Sequence, residues 1–89
     1  MNSITLVGRN SAATIERFPS GTISAEFTIT ITRRGGQTDE LPCEAWGKIA
    51  EELAQMEAGL LIGLIGSVTR DKKVRLDRLE RLGPARVAA

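Results

Sequence analysis

The chain has 89 residues, of which 42% are hydrophobic and 26% charged, and its formal net charge is +1. This length suits one domain near the lower limit for burying a core. The small net charge gives no global field that indicates a nucleic-acid or membrane partner. The sequence has no histidine and one cysteine, Cys43, which excludes an intrachain disulfide, a zinc site and histidine-based catalysis. We expect a protein without a metal, a cofactor or enzymatic activity.

The N-terminal residues, MNSITLVGRN, lack the cationic and long apolar regions of a signal peptide. The apolar run at 60–65 is too short to span a bilayer. We therefore expect a cytoplasmic protein with no membrane partner. Lysine and arginine are most concentrated at 70–78, which fits either a local basic strip or a charge-mixed, solvated surface.

The first half of the chain is predicted to form strands joined by turns. Residues 4–8 form a short apolar β-prone run, residues 12–18 either continue it after a bend or form a loop, and residues 19–21 predict a turn. Residues 23–34 alternate with a period of two, which predicts an antiparallel strand with one buried face. The residues predicted on that buried face are Ile23, Ala25, Phe27, Ile29 and Ile31. A hairpin tip at 33–37 leads to a return strand at 41–46, where Pro42 indicates the strand start or an edge.

The hydrophobic period changes at 47–57, which predicts a short amphipathic helix ending at Ala58-Gly59. Its apolar stripe comprises Trp46, Ile49, Ala50, Leu53 and Ala54. Three helical turns are unstable alone, so this helix must pack against a sheet or the end of a barrel.

Two further strands complete the predicted fold. Residues 60–69 predict an apolar strand with Gly63 and Gly66 on one side. The other side carries Leu60, Ile62, Leu64 and Val68. Residues 74–82 fit a bulged strand better than a helix, because four strands need a closing partner. The order indicates an all-β protein, a five-stranded Greek-key OB-fold barrel with one helix between strands three and four. We expect this domain to span 1–83, with 84–89 as a tail.

Five collinear segments form a recognisable series: the opening strand NSITLVGR at 2–9, the turn RFPSG at 17–21, FTI at 27–29 with TRR at 32–34, the junction AWGKIAE at 45–51, and the glycine-bounded strand at 59–66. Together they resemble the corresponding segments of bacterial single-stranded DNA-binding proteins. The short primosomal relatives of this family fit the length equally well. The resemblance implies sequence-tolerant binding of single-stranded DNA, with RNA as the alternative, in replication, repair or recombination. It also implies a homodimer or homotetramer formed through the first strand or a sheet edge, and contacts with replication proteins.

The sequence departs from that family at several points. Glu40 and Lys73 occupy positions that are usually aromatic, and the connection at 70–73 is shorter than the long basic hairpin of the family. The disordered linker and acidic C-terminal tip of the family have no counterpart here. We therefore expect weaker wrapping of the strand and no recruitment of partners through such a tip.

A groove for single strands needs cations along the phosphates and flat side chains for stacking. The resemblance makes Trp46 the main stacking candidate, with anchoring of the helix as the alternative, whereas Phe18 fits loop packing better than a second platform. The cationic candidates are Arg70, Lys72 and Lys73, then Arg33, Arg34, Lys48, Arg9 and Arg17.

Several of these cations have another interpretation. The pair Arg33-Arg34 equally fits a solubilising hairpin tip, and Lys48 equally fits an ion pair with Glu44 or Glu52. The arginines at 75, 78 and 81 alternate with acids and predict a salt-bridged surface. The alternative to DNA binding is therefore an OB-fold interaction or assembly module with weak or no nucleic-acid binding.

Overall fold

The computed structural model describes residues 2–85, which form a mostly β protein with one short helix. The strands are β1 (Ile4–Asn10), β2 (Thr14–Arg17), β3 (Ile23–Thr32), β4 (Thr38–Trp46), β5 (Leu61–Val68) and β6 (Val74–Gly83). The helix α1 (Lys48–Ala54) lies between β4 and β5. The predicted fold class is confirmed. Six strands replace the five predicted because a bend at 11–13 divides the first barrel strand into β1 and β2.

The barrel consists of two well-paired halves that meet at two short junctions. Strands β1, β5 and β6 form one half, and β2, β3 and β4 form the other. In the first junction β1 pairs with β3 through Arg9 and Asn10. In the second, β4 pairs in parallel with β6 through Cys43 and Glu44. Helix α1 packs mainly against β3 and β4, where it buries Ala50 and Leu53.

The core confirms the alternating pattern of the β3 sequence. Ile23, Ala25, Phe27 and Ile29 are buried at 0–5% exposure, and Ile31 is half-buried near the hairpin tip. At that tip Gly35 and Gly36 have positive φ, a conformation that glycine adopts without a steric penalty. The predicted β3–β4 hairpin is therefore confirmed.

Pro42 lies in the middle of β4 rather than at its start, and its position has a simple explanation. It is opposite Thr28, whose backbone amide donates to Ser11 Oγ and whose carbonyl accepts from the Ser11 amide. The backbone groups of Thr28 therefore point away from β4, and proline at this position removes no bond to β3. The predicted edge position is wrong, because β4 lies between β3 and β6, although its pairing with β6 begins only at Cys43.

The helix is shorter than predicted and ends at Ala54 instead of reaching 57. Trp46 ends β4, and Gly47 breaks the strand with φ 65° and ψ −130°. Ala54, predicted on the buried stripe, is exposed. The helix stops early because the following backbone pairs with β1: the Gly59 amide donates to the Asn10 carbonyl at 2.7 Å.

The prediction for the glycines of β5 is wrong for Gly66. This residue shares the buried face of Leu64, and a Cβ atom there would collide with the Arg75 carbonyl oxygen. Gly63 does lie on the outer face, beneath the Leu82 side chain. Val68, predicted on the apolar side, is 44% exposed.

Strand β6 is bulged, as predicted. Its pairing with β5 skips Asp77 and Leu82. The extra residue at 77 explains why Leu76 and Leu79 lie on the same face although they are three positions apart, whereas Leu82 lies on the outer face over Gly63. The division into a domain of 1–83 and a tail of 84–89 stays a prediction, since 86–89 lie outside the described residues. Within 2–85, no helix has the length and hydrophobicity needed to cross a membrane.

Candidate nucleic-acid interface

The outward side chains of β3 and β4 form one surface, here called the β3–β4 face. The register pairs Ser24 with Trp46, Glu26 with Glu44, Thr28 with Pro42, and Thr30 with Glu40. All eight side chains are exposed or half-buried, since successive residues of a strand point to opposite sides and the other side forms the core.

An aromatic pair lies at the Trp46 end of this face. Phe18 stacks on Trp46 with a centroid distance of 6.0 Å and an interplanar angle of 18°. The turn after β2 holds Phe18, whose amide donates to the Thr22 carbonyl at 2.8 Å and whose carbonyl accepts from Gly21 at 2.9 Å. Trp46 Nε1 donates a hydrogen bond to Glu44 Oε2 at 2.9 Å, and this bond restricts rotation of the indole ring.

Trp46 keeps 43% of its surface exposed despite this packing. Phe18 therefore packs as predicted for a loop residue, and its packing also supports the indole from one side. Parallel, offset aromatic pairs of this kind contribute about 0.5–1.5 kcal/mol beyond burial of their area. A rigid indole with an uncovered surface is suited to stacking on a base, while the stacking itself stays a prediction.

Two ion pairs cross from the β5–β6 half to the β3–β4 face. Lys73 Nζ donates to Glu26 Oε1 at 2.8 Å, and Arg75 Nη2 lies 3.7 Å from Glu44 Oε2. The hydrogen bond and charge of Glu26 raise the pKa of Lys73. The two carboxylates are direct neighbours across β3 and β4, so these cations offset a repulsion between like charges.

The hairpin at 69–73 carries the predicted phosphate contacts Arg70, Lys72 and Lys73. It is closed by hydrogen bonds from the Thr69 amide to the Lys73 carbonyl and from the Lys72 amide to the Thr69 carbonyl. Lys72 has φ 63°, and the side chains of Arg70 and Lys72 are exposed. A shallow groove of about 260 Å³ adjoins this hairpin and is lined by Lys73, Glu26, Thr28 and Pro42, among others. Lys73 therefore lies beside the β3–β4 face, and Arg70 and Lys72 are exposed on the same hairpin.

The other predicted cations are more dispersed. Arg33 binds Asp39 through two hydrogen bonds, one of 2.9 Å from Nη2, and Asp39 raises the pKa of Arg33. Arg34 is exposed at the same hairpin tip. Arg17 lies near the aromatic pair in sequence and forms a long ion pair with Glu51 at 3.8 Å.

Arg9 and Lys48 serve other parts of the molecule. Arg9 Nη1 donates to the carbonyls of Gly59 at 3.0 Å and Pro84 at 2.9 Å, which joins the segment before β5 to the one after β6. Lys48 lines a second groove, of about 700 Å³, together with residues of β1, β5 and β6. Its predicted partner Glu44 instead binds Trp46 and Arg75. Neither residue is brought together with the hairpin cluster.

Sequence reasoning missed Glu26 and Glu44 as the partners of Lys73 and Arg75. The predicted salt-bridged surface is confirmed for Arg75 and Arg81, whose partners are Glu44 and Glu57. The alternating pattern of β3 puts Glu26 on the solvent-exposed side of the strand, so the sequence alone could have indicated this residue as part of the surface. The position of Glu44 opposite it depends on strand register, which a single sequence does not specify. The described residues contain no group of three or more His, Cys, Asp or Glu suited to a metal.

A closed Greek-key barrel with a helix before its fourth barrel strand is the arrangement of an OB-fold, and here one face of it carries an aromatic pair beside a cationic hairpin. Two solved structures match all of the chain: the single-stranded DNA-binding protein of Thermus aquaticus, with a TM-score of 0.83 and 25% identity, and a deletion mutant of it, with 0.82 and 24%. The chain covers 44% and 43% of these proteins. No family model matches.

A curated relative supports the same assignment by sequence. Single-stranded DNA-binding protein 1 of Synechocystis sp. is 39% identical over 77 residues, which is 80% of this chain and 64% of that protein. The chain belongs to the single-stranded DNA-binding protein family and spans about two thirds of the length of this relative.

Proposed function

We propose that this protein binds single-stranded DNA without marked sequence preference and acts in replication, repair or recombination. RNA is the alternative ligand, the protein is not an enzyme, and its compartment is the cytoplasm. The observation that carries the proposal is the exposed, Phe18-supported Trp46 on the same side of the barrel as the cationic hairpin. Stacking and phosphate contact are the two terms that bind single strands.

The contacts divide by chemistry. A base stacks on the open part of Trp46, and the exposed Arg70 and Lys72 contact phosphates. Arg34, exposed at the hairpin tip after β3, contacts a longer strand, and Arg33 does so when it leaves Asp39. Each phosphate neutralised in this way releases counterions, so affinity falls as salt rises, with a slope of about −0.7 per phosphate for single strands.

The experiment uses the fact that Trp46 is the only tryptophan. Anisotropy of a labelled oligo-dT gives the affinity at low and high salt, and quenching of intrinsic fluorescence reports stacking directly. We expect Trp46→Ala to weaken binding by about 5- to 150-fold, because a base stacked on an aromatic contributes about 1–3 kcal/mol. Trp46→Phe, which keeps a flat ring, should retain much of the affinity.

Two results would contradict the proposal. If no binding to oligo-dT is detected at tens of micromolar protein in low salt, the proposed function is wrong. Affinity that does not change between low and high salt removes the phosphate contacts as its basis. After the first result an OB-fold interaction module is the better assignment, and the carboxylates Glu26, Glu40 and Glu44 on the β3–β4 face are the feature that favours it.

We propose in addition that the protein is a homodimer, with a homotetramer as the larger form, and that it contacts replication proteins. Val7, Ile65 and Leu82 are 52%, 37% and 46% exposed and line one groove beside β1. Along residues 4–8, β1 pairs with β5 on one side and with no described strand on the other. An unpaired strand edge next to apolar side chains is suited to pairing with a second copy.

Light scattering after size exclusion tests this assembly. Val7→Asp should reduce the mass towards the 9.6 kDa of one chain, whereas Val68→Asp, at a similarly exposed valine outside the groove, should leave the mass unchanged. A wild-type mass of one chain at micromolar concentration would refute the assembly.

A further inference from the structure

We propose that Glu26 and Glu44 restrain the binding of single strands by holding Lys73 and Arg75, two cations that would otherwise contact phosphates. This inference rests on the proposed function and concerns the same surface. It assigns a role to side chains that neither stack on bases nor attract phosphate.

The charge pattern of the β3–β4 face is the first observation. Between Ser24 and Trp46, the charged residues among the paired outward positions are Glu26, Glu40 and Glu44, and all of them are acids. Positive charge reaches this face from outside it, through the hairpin at 69–73 and the start of β6. A surface built only to attract phosphate would not carry carboxylates beneath its cations.

The geometry of the two pairs is the second observation. The side chain of Lys73 is 33% exposed and its ammonium lies 2.8 Å from Glu26 Oε1, which is the better formed pair. The Glu44 side chain is 13% exposed, and its Oε2 receives both Trp46 Nε1 at 2.9 Å and the charge of Arg75 at 3.7 Å. One carboxylate therefore orients the stacking indole and binds the adjacent cation.

These pairs change how a phosphate can bind. A phosphate that binds Lys73 or Arg75 must displace the carboxylate that holds this cation. The displaced carboxylate is then unpaired and lies close to the other carboxylate of the Glu26–Glu44 pair. The freed carboxylate recruits a counterion from solution, which offsets part of the counterion release from the nucleic acid. Wild-type protein is therefore expected to bind more weakly and with a shallower salt dependence than its number of cations implies.

The test neutralises the carboxylates while keeping their shape. Glu26→Gln, Glu44→Gln and the double variant are titrated with labelled oligo-dT over a range of salt concentrations. The amide oxygen introduced by Glu44→Gln can still accept the hydrogen bond of the indole, so the aromatic pair is retained. Glu57→Gln is the matched control, because Glu57 is also ion-paired, with Arg81 at 3.9 Å, and its loss changes the net charge equally.

Each single variant should bind about two- to five-fold more tightly at low salt, the range expected when one exposed ion pair no longer competes. The double variant should also show a salt slope steeper by up to about 1.4, because two more phosphates are neutralised without replacement. Glu57→Gln should change affinity by less than about 1.5-fold. A melting curve for each variant confirms that it is folded.

Four outcomes decide the inference. A gain at Glu26 and Glu44 that exceeds the gain at Glu57 supports it, including the case in which only the double variant binds measurably. Equal gains at all three positions reduce the effect to net charge and overturn it. Unchanged affinity in the double variant overturns it while the proposed function stands. If neither the wild type nor any variant binds oligo-dT, both this inference and the proposed function are wrong. If Glu44→Gln unfolds, the exposed Glu26→Gln alone decides.

Discussion

Asn10 is the buried polar residue of the core, at 5% exposure, and its replacement by alanine should be strongly destabilising. Its Oδ1 accepts from the Leu60 amide at 2.9 Å, and its Nδ2 donates to the Glu57 carbonyl at 3.1 Å. Leu60 is fully buried, so its amide has no access to water once the side chain is gone. The Glu57 carbonyl, in an exposed residue, can be rehydrated.

The expected loss follows from these two bonds. An unsatisfied buried donor costs about 1–3 kcal/mol, and a hydrogen bond that water can replace contributes about 1 kcal/mol. Asn10→Ala should therefore lower the free energy of unfolding by about 2–4 kcal/mol. With a urea m-value of about 1 kcal/mol/M, the midpoint falls by about 2–4 M, measured at one fixed protein concentration.

The chain contains a matched control. Asn2 makes the same two kinds of bond, accepting from the Val68 amide at 2.7 Å and donating to the Val68 carbonyl at 3.3 Å, but both are exposed. Asn2→Ala should cost less than about 1 kcal/mol, because water replaces the lost partners. Equal midpoint shifts for the two variants would show that burial of the Leu60 amide is not the source of the effect.

Two further variants test the close packing of the barrel. Gly66→Ala should destabilise by about 2 kcal/mol or more in urea, because its Cβ meets the Arg75 backbone, whereas Gly63→Ala, which meets only the movable end of Leu82, should cost under about 1 kcal/mol. Burial raises the pKa of the Cys43 thiol to about 11, so a thiol reagent at pH 8 should label it only after unfolding. Because the thiol of the unfolded chain keeps its ordinary pKa of 9.0, the unfolded state loses its proton first, and stability should fall between pH 9 and 11. The Cys43→Ala variant should not show this loss of stability. If the loss remains in that variant, a group other than the Cys43 thiol causes it.

The local sequence pattern predicts most of the fold and less of the site. Alternation in β3, the glycines of its hairpin and the apolar run of β5 each depend on neighbouring residues, and the structure agrees with their interpretation. Strict alternation already puts Gly66 on the side of Leu64, so its predicted position on the opposite side departs from that pattern, while the contact that requires glycine there depends on the neighbouring strand β6. The helix is overextended because its last turn is replaced by pairing with Asn10. Site residues are identified by resemblance, whereas the Glu26–Lys73 and Glu44–Arg75 pairs arise from strand register and barrel closure.

The two short junctions of the barrel have a mechanical consequence. Each half is held by longer ladders, whereas among residues 2–85 two residue pairs join β4 to β6, and two pairs followed by the Ser11–Thr28 hydrogen bonds join β1 to β3. Local opening should therefore begin at these junctions, and hydrogen exchange should be faster at the β4–β6 junction than inside the β3–β4 ladder. The aromatic pair belongs to one half and the cationic hairpin to the other, so a bound strand would span the junction. Such a ligand would hold the two halves of the barrel together. Amide hydrogen exchange at Cys43 and Val74 would then be slower, although neither side chain needs to contact the ligand.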